Sequence, residues 1–500
     1  MGDMIDVAII GAGLSGIGAA CHLKKQCPEH SFTILEGREA SGGTWDLFRY
    51  PGIRSDSDMY TLGYNFKPWE AGKAIADGPA ILKYVRETAS EYGIDDHIEY
   101  QQRVLAVDWN SHAQCWTLKI QDDAKGSLRE LTARFILCCA GYYKYKHGYQ
   151  PEFPGREQFL GDFVHPQQWP ESLDYRNKKV VVIGSGATAV TLVPAMADQA
   201  SEVVMLQRSP TWVVSRPSSD WIANSLRAIL PSRWAYLLTR LKNTLFQHMV
   251  YRRSREKPQK LKDMLLKEVK RELGSEAQDQ LEHFTPNYNP WDQRLCLVPD
   301  SDLFAALKSR KARVVTDEIS EILPNGIRLK SGEELSADII ISATGLELEI
   351  LGGMAVTIDG KDFEFPKSWT YRGLMFSGLP NLLSVFGYIN ASWTLRADLA
   401  AEWLCGLLLH MRARNFASVT PTLEPDMPGM QGRPYIDSFS AGYMQRMMHL
   451  FPQQGDRDPW INSQRYLLER KQFRNMDYDE PALCYEPESQ AAQLTTDKAA

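Results

Sequence analysis

The chain makes one demanding turn twice. "DVAIIGAGLSGIGAACHLKK" (residues 6–25) runs from a short apolar strand through a glycine turn into a helical stretch, and "SFTILE" follows as another strand. "KKVVVIGSGATAVTLVPAMA" (178–197) repeats the plan and leads into "EVVMLQRS". Strand, turn, helix and strand at this spacing specify parallel sheets covered by helices, so the fold class is α/β with two Rossmann-like dinucleotide-binding domains. In the first turn Gly11 permits the bend, Gly13 lets backbone approach a pyrophosphate, and Gly16 lets helix and strand pack closely. Gly184, Gly186 and Ala189 take the same places in the second. The diphosphates belong on the N–H groups at the helix starts.

The strands after the two turns end differently. Glu36 closes the first, where a carboxylate accepts hydrogen bonds from ribose hydroxyls. Arg208, followed by Ser209, stands near that place in the second. A guanidinium binds a 2′-phosphate that a carboxylate would repel. The first site therefore favours a dinucleotide with a free ribose, and the second NADP over NAD. Two dinucleotides held by one chain read as a redox pair, FAD and NADPH, because hydride transfer needs nicotinamide and flavin at close range.

Five hundred residues exceed one ordinary core. We expect a flavin domain over 1–150 and 343–500, and an NADP domain over 151–219 and 286–342 with a helical insertion at 220–285. Strands "FILCCAGYY" and "ADIIISATGLE" end in small residues, among them Thr344, as suits a chain crossing between domains beside a cofactor. The insertion is rich in Leu and aromatic residues and markedly basic. It reads either as a helical lid with a solvated basic face or as weak peripheral contact with an anionic membrane surface. The tail "ESQAAQLTTDKAA" is polar and expected to be mobile.

Other classes find no support. A formal charge of −6 gives no electrostatic reason to expect nucleic acid as a partner. The eight cysteines show no C-x-x-C or metal-ligand spacing, so no metal site and no redox pair of a disulfide reductase is expected, and reduced thiols suit a cytoplasmic protein. No targeting segment or membrane-length apolar run is visible. No P-loop, H-E-x-x-H or G-x-S-x-G pattern occurs.

Between the two turns, "FLGDFVHPQQWP" fits F-x-G-x-x-x-H-x-x-x-W-P through Phe159, Gly161, His165 and Trp169. With both Rossmann turns, this pattern resembles that of the type I Baeyer–Villiger flavin monooxygenases. "GGTWDLFRYPGIRSDSDMYTLG", "NPWDQRLCLVPDSDLF" and "GYINASWTL" resemble the subgroup containing the ethionamide-activating and long-chain-alkane-utilisation monooxygenases.

The resemblance implies an enzyme using FAD, NADPH and O₂, in which the reduced flavin captures oxygen as a C4a-peroxide that adds to a ketone. The tetrahedral adduct then rearranges to an ester or lactone. Linear aliphatic or aryl-alkyl ketones are the implied substrates, with sulfoxidation as a secondary activity. By the same resemblance Arg294 in "DQRLC" is the active-site arginine and Asp56 in "IRSD" the carboxylate that holds it, Arg54 being the competing partner for Asp56. Thr44 and Trp45 fall where the chain wraps the flavin, and Trp393 near flavin or substrate. His165 and Trp169 belong to a linker coupling domain rotation to cofactor handling. Gln293 stands where many cyclic-ketone oxidisers carry a lysine for the NADP phosphate, which predicts a weaker NADPH preference. The rival reading is a flavin-containing monooxygenase oxidising nitrogen or sulfur, which needs no arginine guarding a peroxide anion.

Overall fold

Each glycine turn sits at the carboxyl end of a central strand of its own sheet, among parallel neighbours. The computed structural model describes residues 4–424, 429–437 and 439–488; apart from Glu488, the polar tail lies outside them. In the first sheet Ile5–Ile10 pairs in parallel with Phe32–Glu36 on one side and Ser127–Cys138 on the other. The last four residues of Ile5–Ile10 are all buried, as a strand covered on both faces requires. Beyond Ser127–Cys138 the sheet continues as an antiparallel meander through Cys115–Asp122 and Gln102–Asn110. Leu382–Ser384 also pairs in parallel with Ser127–Cys138, so the chain returns to this domain after the second one. The helix Trp393–Arg414 then packs on Leu14–Gln26, the helix that follows the first turn.

The second sheet is wholly parallel, in the order Ala312–Thr316, Glu202–Gln207, Lys179–Ile183, Ile339–Ser342, Asp162–Val164. Its central strands are unbroken apolar runs such as "VVVI" and "III", which bury both faces. Two crossovers join the domains, and they pair with each other. The N–H groups of Lys144, Tyr149 and Glu349 donate to the carbonyls of Glu347, Gly345 and Tyr142 at 2.8, 3.0 and 3.0 Å.

Three helices, Trp221–Ile229, Ser232–Glu256 and Pro258–Leu273, fill the insertion. The long middle helix docks on the flavin domain. Arg240 donates to the carbonyl of Gly63 at 2.7 Å and pairs with Asp398 at 3.3 Å, and Tyr236 Oη donates to the carbonyl of Tyr64 at 2.8 Å. The third helix packs instead on the NADP side, where Val269 and Leu273 join the core around Val180 and Leu303. The insertion thus straps one domain to the other, where a lid would cover one of them. Among the described residues no helix is long and apolar enough to cross a membrane.

Candidate active site

The two turns face one cavity of about 1460 Å³, well above the usual volume for a single small ligand (~300–1,000 Å³). Each turn is shaped by a residue that tolerates no side chain. A Cβ on Gly16 would lie 1.9 Å from the carbonyl oxygen of Gly11, and Gly184 takes φ +138° with its backbone against the carbonyl of Ala343. The helices that follow start at Gly13 and Gly186 with no side-chain cap and no acidic residue in the first turn. Their leading N–H groups therefore lack the partner a helix start normally finds in its own chain. At Gly186 a Cβ would meet nothing within 4 Å, so the cavity reaches the backbone there. Bare N-termini, open approach and volume fit two dinucleotides.

Of the residues singled out by sequence, Gly13, Thr44, Trp45, Asp56, His165, Gly184, Gly186, Arg208, Ser209, Arg294 and Thr344 line this cavity. Gly11, Gly16, Ala189, Phe159, Gly161, Trp169 and Glu36 do not line it. Glu36 is buried against the first turn: one oxygen accepts from the Ala12 N–H at 2.7 Å and the other from the Arg38 N–H at 2.9 Å. Burial raises its pKa above the ordinary carboxyl value, although those two N–H groups pull the other way. Its first job here is to brace the turn. Thr44 Oγ1 is 2.6 Å from Tyr143 Oη, which ties the segment after the glycine pair Gly42–Gly43 to the crossover.

Arg294 and Asp56, 238 residues apart in sequence, meet through Nη1 and Oδ2 at 3.0 Å. Arg54 turns away and pairs with Asp302. The Arg294 side chain keeps 37% of its surface accessible. That surface is turned to the internal cavity. The Asp56 charge raises its pKa further above the ordinary value, against the effect of burial, with the Tyr443 and Tyr142 hydroxyls adding to the rise. It is a permanent cation.

An aromatic wall lies around this pair, of which the sequence had pointed only to Trp393. Tyr142 stacks on Trp393 with centroids 5.2 Å apart, and the Trp393 Nε1–H donates to Ser15 Oγ at 2.8 Å, on the helix of the first turn. Tyr443 and Arg446 arrive from the far end of the chain, Arg446 lying 3.5 Å from the Tyr149 ring centroid. The tyrosine-rich run "YYKYKHGY" was the available signal for half of this wall.

The fingerprint segment works at the crossover. His165 Nδ1 accepts from the Gln167 N–H at 3.2 Å, which leaves Nε2–H to donate to the Gly345 carbonyl at 3.3 Å. On its other side Gly148 approaches so closely that a Cβ there would lie 2.0 Å from His165 Cε1. The imidazole is thus wedged between both crossovers, and burial lowers its pKa. Gly161 passes the Asp338 carbonyl with room for no side chain. Phe159 packs on the apolar layer around Val181, and Trp169 on the core beneath the second turn, which Tyr50 of the flavin domain also joins.

Residues 74–283 match the family model for flavin-binding monooxygenase-like proteins, and 9–69 that for the NAD(P)-binding Rossmann-like domain. The chain is 50% identical over 484 residues to the FAD-containing monooxygenase EthA of Mycobacterium tuberculosis, covering 97% of this chain and 98% of that one. It is 46% identical over 493 residues to the probable FAD-binding monooxygenase AlmA of Acinetobacter baylyi, covering 98% of each. Among solved structures, the complex of OTEMO with FAD and NADP superposes with a TM-score of 0.75 at 20% identity, covering 96% of this chain and 99% of that one.

Proposed function

The chain belongs to the FAD-containing monooxygenases and has the two-nucleotide-domain Baeyer–Villiger fold; from that premise we propose that it converts open-chain aliphatic or aryl-alkyl ketones to esters at the expense of NADPH and O₂. One oxygen atom enters the ketone and the other leaves as water, with NADPH supplying the two electrons. Bound flavin would carry those electrons from the nicotinamide to oxygen. The observation that supports the reading best is the Arg294–Asp56 pair, a cation held by a carboxylate on the wall of the cavity that both turns face.

In this reading Arg294 acts by charge and position. An attacked carbonyl gathers negative charge on its oxygen, and a guanidinium already fixed in a sheltered cavity stabilises it without reorganising. Arg294 cannot release a proton, so it serves as neither acid nor base. Asp56 is a positioning residue: it keeps the guanidinium from swinging toward solvent. Tyr142, Tyr443 and Trp393 supply apolar surface that suits an unbranched or aryl chain and excludes water. Arg208 and Ser209, exposed at the edge of the second turn, would receive the 2′-phosphate, with Gln293 adding no charge.

The test is product analysis by mass spectrometry after incubating FAD-loaded protein with NADPH and a panel of methyl ketones, cyclic ketones and thioethers. Ester from the linear ketones is the expected result. Sulfoxide with no ester from any ketone would overturn the reading in favour of nitrogen or sulfur oxidation.

A further inference from the structure

The long helix Ser232–Glu256 is amphipathic in the reverse sense for a water-exposed helix. Its polar face is the inner one. Thr239 and Arg240 are buried, and Asn243 and Gln247 donate to the Asp58 carboxylate at 2.9 and 3.0 Å. Its outer face is apolar: Trp234, Leu238, Leu241, Leu245 and Met249 recur every three or four residues and stand exposed, Trp234 to 62%. The preceding helix extends the patch with Trp221 at 75% and Ile229 at 79%. Isolated apolar residues at a surface are ordinary, but a continuous stripe this long marks an interaction surface.

The charge around the stripe selects the partner. From Trp221 to Leu273 there are thirteen Lys and Arg against four Asp and Glu, a local balance of +9 in a chain whose formal charge is −6. Arg233, Arg252 and Arg253 are exposed on the same helix. A second copy docking through a two-fold axis would set this positive patch against itself. We propose that the outer face of Trp221–Ile229 and Ser232–Glu256 docks on an anionic lipid bilayer, the Trp and Leu side chains entering the interface and the basic residues meeting the headgroups. The face adjoins the cavity, which Trp221 and Phe246 also line. If the ketone reading holds, docking would place the cavity beside a reservoir of apolar substrate.

The docking claim is tested by binding alone, so it stands or falls separately from the reaction. FAD-loaded full-length protein is floated with vesicles of phosphatidylcholine and with vesicles of equimolar phosphatidylcholine and phosphatidylglycerol, at low and high salt. Flotation with the anionic vesicles, reduced by salt, is expected. The double variant Trp234→Ser, Leu241→Ser changes two outward side chains away from the cavity lining and should retain its circular dichroism and flavin spectrum. Its partition should fall at least about tenfold. Arg252→Gln with Arg253→Gln should weaken anionic binding several-fold and leave neutral vesicles unaffected. Absence of flotation, equal flotation with both vesicle types, or unchanged partition of the double variant would overturn the proposal. So would a dimer that the double variant abolishes when no vesicle binding occurs, which would assign the face to a second copy.

Discussion

If Arg294 works through its position, its partner should matter only while the arginine is present. The Nη1–Oδ2 contact of 3.0 Å is a charge-assisted hydrogen bond. Such bonds contribute about 1.5–3 kcal/mol when sheltered. Both side chains keep a third or more of their surface accessible, so a discounted figure of about 1–2 kcal/mol is appropriate. Asp56→Ala should then lower ester formation about 5- to 30-fold. Arg294→Ala removes the cation itself and should lower it about 10²- to 10³-fold. The double variant should fall no further than Arg294→Ala, to within about twofold, because nothing remains for Asp56 to hold. In all three, NADPH consumption should persist, with hydrogen peroxide replacing ester. The assay follows NADPH by absorbance, peroxide by a coupled peroxidase and ester by gas chromatography. Arg54→Ala, whose partner is Asp302, should leave the ester-to-peroxide ratio unchanged. Losses that multiply in the double variant would show that Asp56 and Arg294 act independently and would refute the positioning argument.

Two further outcomes are expected. Arg208→Gln should cut kcat/KM for NADPH about 10- to 100-fold, the worth of a charge-assisted phosphate contact, and leave NADH unchanged; equal kcat/KM for the two nucleotides in the unsubstituted protein would already refute the preference. The buried His165 has a lowered pKa, so the unfolded chain takes up its proton first: the stability it contributes is whole above about pH 6.5 and is lost as pH falls toward the folded value. His165→Gln should flatten the fall in urea midpoint between about pH 7 and about pH 5, and an unaltered slope would show that the imidazole is not the group being protonated.

Legibility in the sequence followed distance along the chain. The two Rossmann turns were readable because their signals, strand period, glycine spacing and helix start, lie within about twenty residues. Their placement at the carboxyl ends of parallel strands in two sheets follows from the same local rules. Arg294 and Asp56 lie 238 residues apart and are brought together only by the fold, so family resemblance, not spacing, pointed to the pair. The aromatic wall combines positions 142, 393 and 443 from three distant segments, and no periodicity links them.

Two features of the structure lay beyond what the sequence could show. Glu36 was legible as a carboxylate at a strand end, but its lone pairs are first drawn to the nearest N–H groups, those of Ala12 and Arg38, because a buried carboxylate cannot wait unsatisfied for a ligand. In the insertion, helical period sorts residues onto faces, but it does not say which face is inside. The ordinary rule buries the leucines. Here Asp58 and Asp398 lie beneath the helix and take donors from it, so Arg240, Asn243 and Gln247 turn inward and the leucines are left outside. Burying the leucines instead would take those donors from both carboxylates and leave Asp58 to Thr61 and Asp398 to Asn65 and His22, at a cost in unmatched charge. The same carboxylates therefore anchor the helix to the flavin domain and hold its apolar stripe toward solvent, which makes the stripe a consequence of how the insertion docks.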